Sequence, residues 1–388
     1  MAILNRRQFA TAVGVSGAFF VHTTCRGAAP SAKVDKPQVI TRRPHIYHGW
    51  PTVAQRANGE LLLVCSGGRE AHVCPFGRVE LFRSSDRGSS WSWPRTLIDG
   101  PIDDRDAGVL ETAKGTLLAT TFTSLAYEPI LKRAIADSKQ EKETFSAEKL
   151  ERWQSVQRRL NADGRQSALG VWMARSDDGG FSWSKPYRCE VNSPHGPINL
   201  SDGRMLYAGK ALWTKDNRVG VCDSKDDGRT WRWLATIPTR PGDDHKNYHE
   251  LHAVEAAEGR LIVHIRNHNT KHSRETLQTE STDGGQTWTT PHTIGVWGLP
   301  SHLLRLNDDR LLMSYGHRRA PFGNQARISS NNGESWSDPI LISGDGAAGD
   351  LGYPSTVQFE DASLLTVWYE KLKGSPNAVL RQAKWRLT

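Results

Sequence analysis

The side chains best suited to chemistry in this 388-residue chain are its 14 histidines and a few short polar clusters. Histidine donates and accepts hydrogen bonds and exchanges a proton near neutral pH. No His-x-x-x-His pair falls on a convincing helix, so neither a metal cage nor a cofactor is expected. The clusters Gly67-Gly-Arg69-Glu70-Ala-His72, Asp103-Asp-Arg105-Asp106 and His195-Gly-Pro supply carboxylates, guanidinium groups and imidazoles. Taken singly, each histidine reads as a loop residue hydrogen-bonded for structure. Their meaning depends on the elements that bring them to one place.

Those elements follow from a repeat. Ser84-Ser-Asp86-Arg-Gly88-Ser-Ser-Trp91 recurs as Ser176…Trp183, Ser224…Trp231 and Ser281…Trp288, and with Asn331 for Asp in Ser329…Trp336. Asp or Asn folds its side chain onto turn N–H groups, Gly takes the positive φ of that turn, and Trp drops between neighbouring sheets. The boxes are 92, 48, 57 and 48 residues apart, and a blade of four antiparallel strands needs about 45–50. Five boxed blades, an unboxed one over 353–387 and a closing strand at Val39–Thr41 predict an all-β, six-bladed β-propeller. The long first gap predicts an inserted helical segment in the second blade, about 129–160, where Leu131, Ile135, Phe145, Leu150, Trp153 and Leu160 sit among charged residues.

In such blades the boxes mark one end, and the B–C loops and D–A connections share the other. Ten histidines fall in those loops: His45, His48, His72, His195, His245, His249, His268, His272, His302 and His317. Their spread over many loops favours a sugar-lined cleft.

The repeated box resembles the Asp box of the sialidase (BNR-repeat) superfamily, and the resemblance runs over residues 38–388. Tyr248-His-Glu250-Leu-His-Ala-Val-Glu255 followed by Arg266-Asn267, and Gly352-Tyr353-Pro-Ser followed by Tyr369-Glu370, look like that family's base-and-clamp stretch and its nucleophile-bearing end. The resemblance implies Tyr353 as nucleophile, Glu250 as the carboxylate that activates it, and Arg266 and Arg318 (or Arg319) as clamps on a substrate carboxylate. Glu250 and Tyr353 are then expected within hydrogen-bond reach. A tyrosine suits an anomeric carbon bearing a carboxylate, which would repel a carboxylate nucleophile, and it needs a base because phenols ordinarily ionise near pH 10. Arginine pairs bidentately with carboxylate.

The chain departs from the family twice. Where the family opens its first blade with Arg-Ile-Pro, this sequence reads His48-Gly49-Trp50-Pro51, and where the family has its acid/base Asp, it has His72. His72 or Glu70 is expected to donate the proton, with Arg69 partly restoring the clamp. His48, Asp106, His195 and His249 are further substrate-side candidates, Asp106 also as an acid/base.

The function these readings imply is an exo-acting glycoside hydrolase on a glycan's terminal acidic sugar, sialic acid or a relative. Two alternatives stay open: a uronate lyase using His72, His249, Tyr353 and Arg266, and a non-catalytic glycan-binding propeller. The formal charge of +8 favours anionic ligands, and the absence of a Lys/Arg stripe with interleaved aromatics argues against nucleic acid. No run of about 18 apolar residues predicts a membrane span. Residues 1–32 read as a twin-arginine export signal, with Asn5-Arg6-Arg7-Gln8-Phe9 ahead of a mildly apolar run, so a periplasmic or extracellular location is expected. Cys65 and Cys74 either pair or are buried free thiols.

Overall fold

A computed structural model describes residues 30–388 other than 42, 44, 143 and 271–274, so most of the export-signal reading, and His272, lie outside the described residues. The second strand of each blade is covered by neighbouring blades on both faces, and such strands read as continuous apolar runs rather than alternating ones. Leu61–Cys65 and Leu311–Met313 are fully buried examples. Six antiparallel sheets result, each a meander in chain order: residues 47–98, 103–188, 198–236, 248–297, 301–343 and 351–387. The last three-stranded meander is completed by N-terminal strands, Ala32–Val34 and Gln38–Val39, both paired with Ala378–Leu387. The closing strand thus lies slightly earlier than expected, and Thr41 adds a side-chain contact, its Oγ1 accepting from Leu380 N at 3.0 Å.

The boxes weld each blade to the one before it. In the third box, Gly228 N donates to Ser224 Oγ (3.0 Å), Thr230 N donates to Asp226 Oδ1 (2.9 Å), and Thr230 Oγ1 donates to Asp226 Oδ2 (2.6 Å). Gly228, at φ 74°, presses on Leu118 of the second blade. In the fifth box the last bond reverses, Asn331 Nδ2 donating to Ser335 Oγ, which is how Asn substitutes for Asp. The first box reaches the sixth blade: Trp91 Nε1 donates to Gln382 Oε1 at 2.8 Å, closing the ring. Asp226→Ala should cost about 1 kcal/mol and lower Tm slightly without changing any turnover, because the box lies at the far end from the candidate site. Lost turnover in a variant that still melts like the parent would contradict this.

The insertion is three helices rather than one segment: α1 (Tyr127–Ser138), α2 (Ala147–Gln157) and α3 (Ala162–Ser167). Tyr127, Leu131 and Trp153 form a small core with Cys74. Cys65 and Cys74 are both buried and free. Among the described residues no helix is long and apolar enough to cross a membrane.

Candidate active site

The first strands of four blades break register near their starts, between Gly49 and Thr52, Arg105 and Gly108, His249 and His252, and Gly352 and Ser355. Each break holds one non-glycine residue in the left-handed region: Trp50 (φ 54°), Asp106 (45°), Glu250 (44°) and Tyr353 (53°). A bulge re-aims a side chain, and a bulky residue at positive φ costs on the order of 1–3 kcal/mol. Four equivalent strained positions on neighbouring and facing blades gather their side chains at the end of the propeller away from the boxes.

Tyr353 and Glu250, 103 residues apart, meet there. The Tyr353 hydroxyl donates to Glu250 Oε1 at 2.5 Å. Arg266 Nη1 donates to Glu250 Oε2 and, at 3.2 Å, to the Tyr353 oxygen. Burial works to raise the Glu250 pKa, but the Arg266 charge and the bonds from Arg266 and Tyr353 outweigh it and hold the carboxylate ionised. Burial and the Glu250 charge push the Tyr353 phenol well above its ordinary range, so its proton leaves only to a base in contact. Arg318 sits with its guanidinium carbon 5.8 Å from the Tyr353 ring centre, anchored by Nε donating to Leu351 O at 2.8 Å. Asp106 is buried; burial and then Glu250 raise its pKa, so its carboxyl keeps a proton that Glu250 does not.

Beside this pair lies a second network. Asp350 accepts from the Tyr47 hydroxyl (3.0 Å), the Tyr369 hydroxyl (3.1 Å) and His72 Nδ1 (3.0 Å). An ionised carboxylate only accepts, so His72 presents an Nδ1–H to Asp350. The His72 side chain is 46% exposed, and its ring lies 5.0 Å from that of Trp50, itself 6.4 Å from Tyr353.

Other expected site residues go elsewhere. Arg69 is fully buried, its guanidinium forked onto Asp103 at 2.6 and 3.0 Å with its remaining donors on Ser66, Ala71, His72 and Asp104. It supports Trp50 from beneath, 5.0 Å from that ring, and does not restore the clamp. Glu70 accepts from Arg152 and from Trp153 Nε1 (3.0 Å), fastening the insertion rather than facing the pocket. His48 is buried against Glu80 and Phe82. His195 is buried with His252 and His302, ring centres 5.2 and 5.0 Å away, inside the propeller. Each was read as a pocket residue from its loop, and each found a partner on another element. His249 does lie near the pair: its ring is 4.8 Å from His268, which accepts from Arg266 Nε at 2.6 Å. Burial, with Lys210 nearby, lowers His249 to about 4. Arg319 stacks on Trp297 at 4.3 Å, leaving the clamp role to Arg318. A side chain at Gly49 would strike the Tyr47 ring, whose Cε1 is 2.9 Å from the position of a Cβ, so Tyr47 fills the space beside the missing family arginine.

Sequence reasoning did not single out Tyr47, Asp350, Tyr369 or Trp50. Two of the four bulges carried a signal, since Trp50-Pro51 and Tyr353-Pro354 put the strained residue before a proline, which disfavours the right-handed helical region for its predecessor; Asp106 and Glu250 carry no such mark.

A family model described as a BNR repeat-like domain matches residues 10–241 and 149–366. Among curated proteins nothing matches the chain. Similar solved structures include a protein of unknown function from Dyadobacter fermentans DSM 18053, at 22% identity and TM-score 0.75, covering 92% of this chain and 100% of that one. The Hadza microbial sialidase Hz136 is 18% identical with TM-score 0.61, over 87% of this chain and 65% of its own. A Trypanosoma rangeli sialidase in complex with the inhibitor DANA is 16% identical with TM-score 0.59, over 92% and 60%. The chain therefore spans about two thirds of the length of these sialidases and shares their propeller fold.

Proposed function

This chain belongs to the BNR repeat-like domain family, and on that premise we propose that it is an exo-acting glycoside hydrolase that removes a terminal acidic sugar, sialic acid or a relative, from glycans. The observation that carries the reading is the Tyr353–Glu250–Arg266 contact, a phenol on an ionised carboxylate pinned by a guanidinium. Arg266 and Arg318 hold the substrate carboxylate. Tyr353 passes its proton to Glu250 as its oxygen bonds the anomeric carbon and the glycosidic C–O bond breaks. His72 acts as the imidazolium: with Nδ1–H held by Asp350, it gives the proton on its other nitrogen to the departing oxygen and is left neutral. In the second half, His72 takes a proton from water, the water oxygen replaces the tyrosyl oxygen on the anomeric carbon, and Tyr353 recovers its proton from Glu250. Sialidases sharing the fold, one of them seen with sialic acid, support the sugar class. Residues 1–32 fit this reading as an export leader, since such glycans lie outside the cell.

The Tyr47–His72 contact of 2.9 Å favours a second reading, a uronate lyase in which imidazole and phenol serve as base and acid. Aryl glycosides of sialic, related nonulosonic and uronic acids separate the two. The hydrolase releases phenol from a nonulosonic glycoside, while a lyase leaves the whole panel uncleaved and forms an ultraviolet-absorbing unsaturated product from a polyuronate. Silence on every substrate by well-folded protein would leave the binding propeller.

A further inference from the structure

Asp103 and Asp104 sit side by side on the first strand of the second blade, so they face opposite ways. Asp103 is consumed by Arg69. Asp104 instead points into a separate cavity of about 440 Å³ between the first and second blades, walled by Leu97, Ile98, Pro101, Thr123, Trp172 and Pro186. The residue is 1% exposed. Its Oδ2 accepts from Gly100 N at 2.6 Å, and its Oδ1 has no hydrogen-bond donor among the described residues. Thr123, its cross-strand neighbour, spends its hydroxyl hydrogen on Ala168 O. Arg188 stacks on Trp172 and is tied to the carbonyls of Ser167 and Leu169. An apolar cavity with one half-satisfied carboxyl at its base is built for a ligand that is apolar apart from one complementary polar group.

We propose that this cavity is a binding site for an organic ammonium, an apolar body bearing a single positive charge that pairs with Asp104. Among the neighbouring charges, Asp99 lines the cavity and adds negative potential, Asp103 and Arg69 cancel as an ion pair, and the Arg188 cation is held on Trp172 by its stacking and its two carbonyl contacts. Without a ligand Asp104 keeps its proton to about pH 7, mainly through burial and then through Asp103 and Asp99, against the pull of Gly100 N–H and Arg69. Ammonium binding requires the ionised carboxylate, so affinity must rise with pH through that range, about tenfold between pH 6 and pH 8.

The test is calorimetric titration of the full chain with benzylammonium, with benzyl alcohol as the neutral isostere. The expected result is one saturable site for benzylammonium, tighter at pH 8 than at pH 6 by about tenfold. Asp104→Asn should weaken it tenfold or more while still accepting the Gly100 hydrogen bond. Ala168→Trp, which fills the cavity from its wall, should abolish it even if Asp104→Asn folds poorly. Equal binding of benzyl alcohol, a pH-independent affinity, or no binding up to 20-fold molar excess at millimolar protein would overturn the proposal. None of these readouts depends on glycoside cleavage.

Discussion

Tyr353→Phe is expected to reduce turnover of an aryl glycoside of the acidic sugar by at least about 10³-fold, on the order of 4 kcal/mol of transition-state stabilisation. The substitution removes one oxygen and leaves the ring among Trp50, Tyr369 and Arg318, so cooperative melting should persist. Glu250 would remain paired with Arg266, so the loss would not come from an uncompensated buried charge. Glu250→Gln should fall by a similar factor, because Tyr353 and Glu250 act as a unit and the double variant should be little worse than either single one. Multiplicative losses in the double variant would mean that the two residues work independently, against the contact.

The second large effect separates the acid from the nucleophile. His72→Ala should reduce turnover about 10²-fold or more on substrates with poor leaving groups such as an alkyl aglycone. With a nitrophenolate leaving group, which departs without a proton, the loss should be much smaller. Asp350→Asn should follow the same pattern more weakly, since Asp350 bears on the acid step by fixing the His72 tautomer and ring direction, and its leaving-group dependence should vanish in the His72→Ala background. Equal losses on good and poor leaving groups would remove His72 from the acid role and turn attention to Asp106, the protonated carboxyl beside Glu250.

Much of this architecture was legible because its determinants are local. A box needs only Ser, Asp or Asn, Gly and Trp at fixed offsets to fold a turn, so the five boxes mark five of the six blades, and the excess between the first two boxes locates α1–α3. The Glu250 and Tyr353 stretches were legible through motif resemblance, and the bulges that aim them explain why both lie near strand starts. Arg69, Glu70 and His48 could not be placed from sequence, because their orientation depends on partners far along the chain: Asp103, Arg152 with Trp153, and Glu80. Asp350 was equally hidden. Nothing in Gly349-Asp-Leu-Gly352 indicates that its carboxylate will meet Tyr47 and His72 across the ring closure, a contact spanning about 300 residues that exists only once the last blade docks on the first.

The central claim, that Tyr353 attacks the anomeric carbon, is tested most directly by trapping the bond. Incubating the protein with a 2,3-difluorinated sialic acid, which slows the second half-reaction more than the first, and mapping the labelled peptide by mass spectrometry should show one sugar adduct on Tyr353, absent from Tyr353→Phe. A folded protein that cleaves the aryl glycoside yet carries the adduct on another residue, or turns over without any trappable adduct, would contradict it.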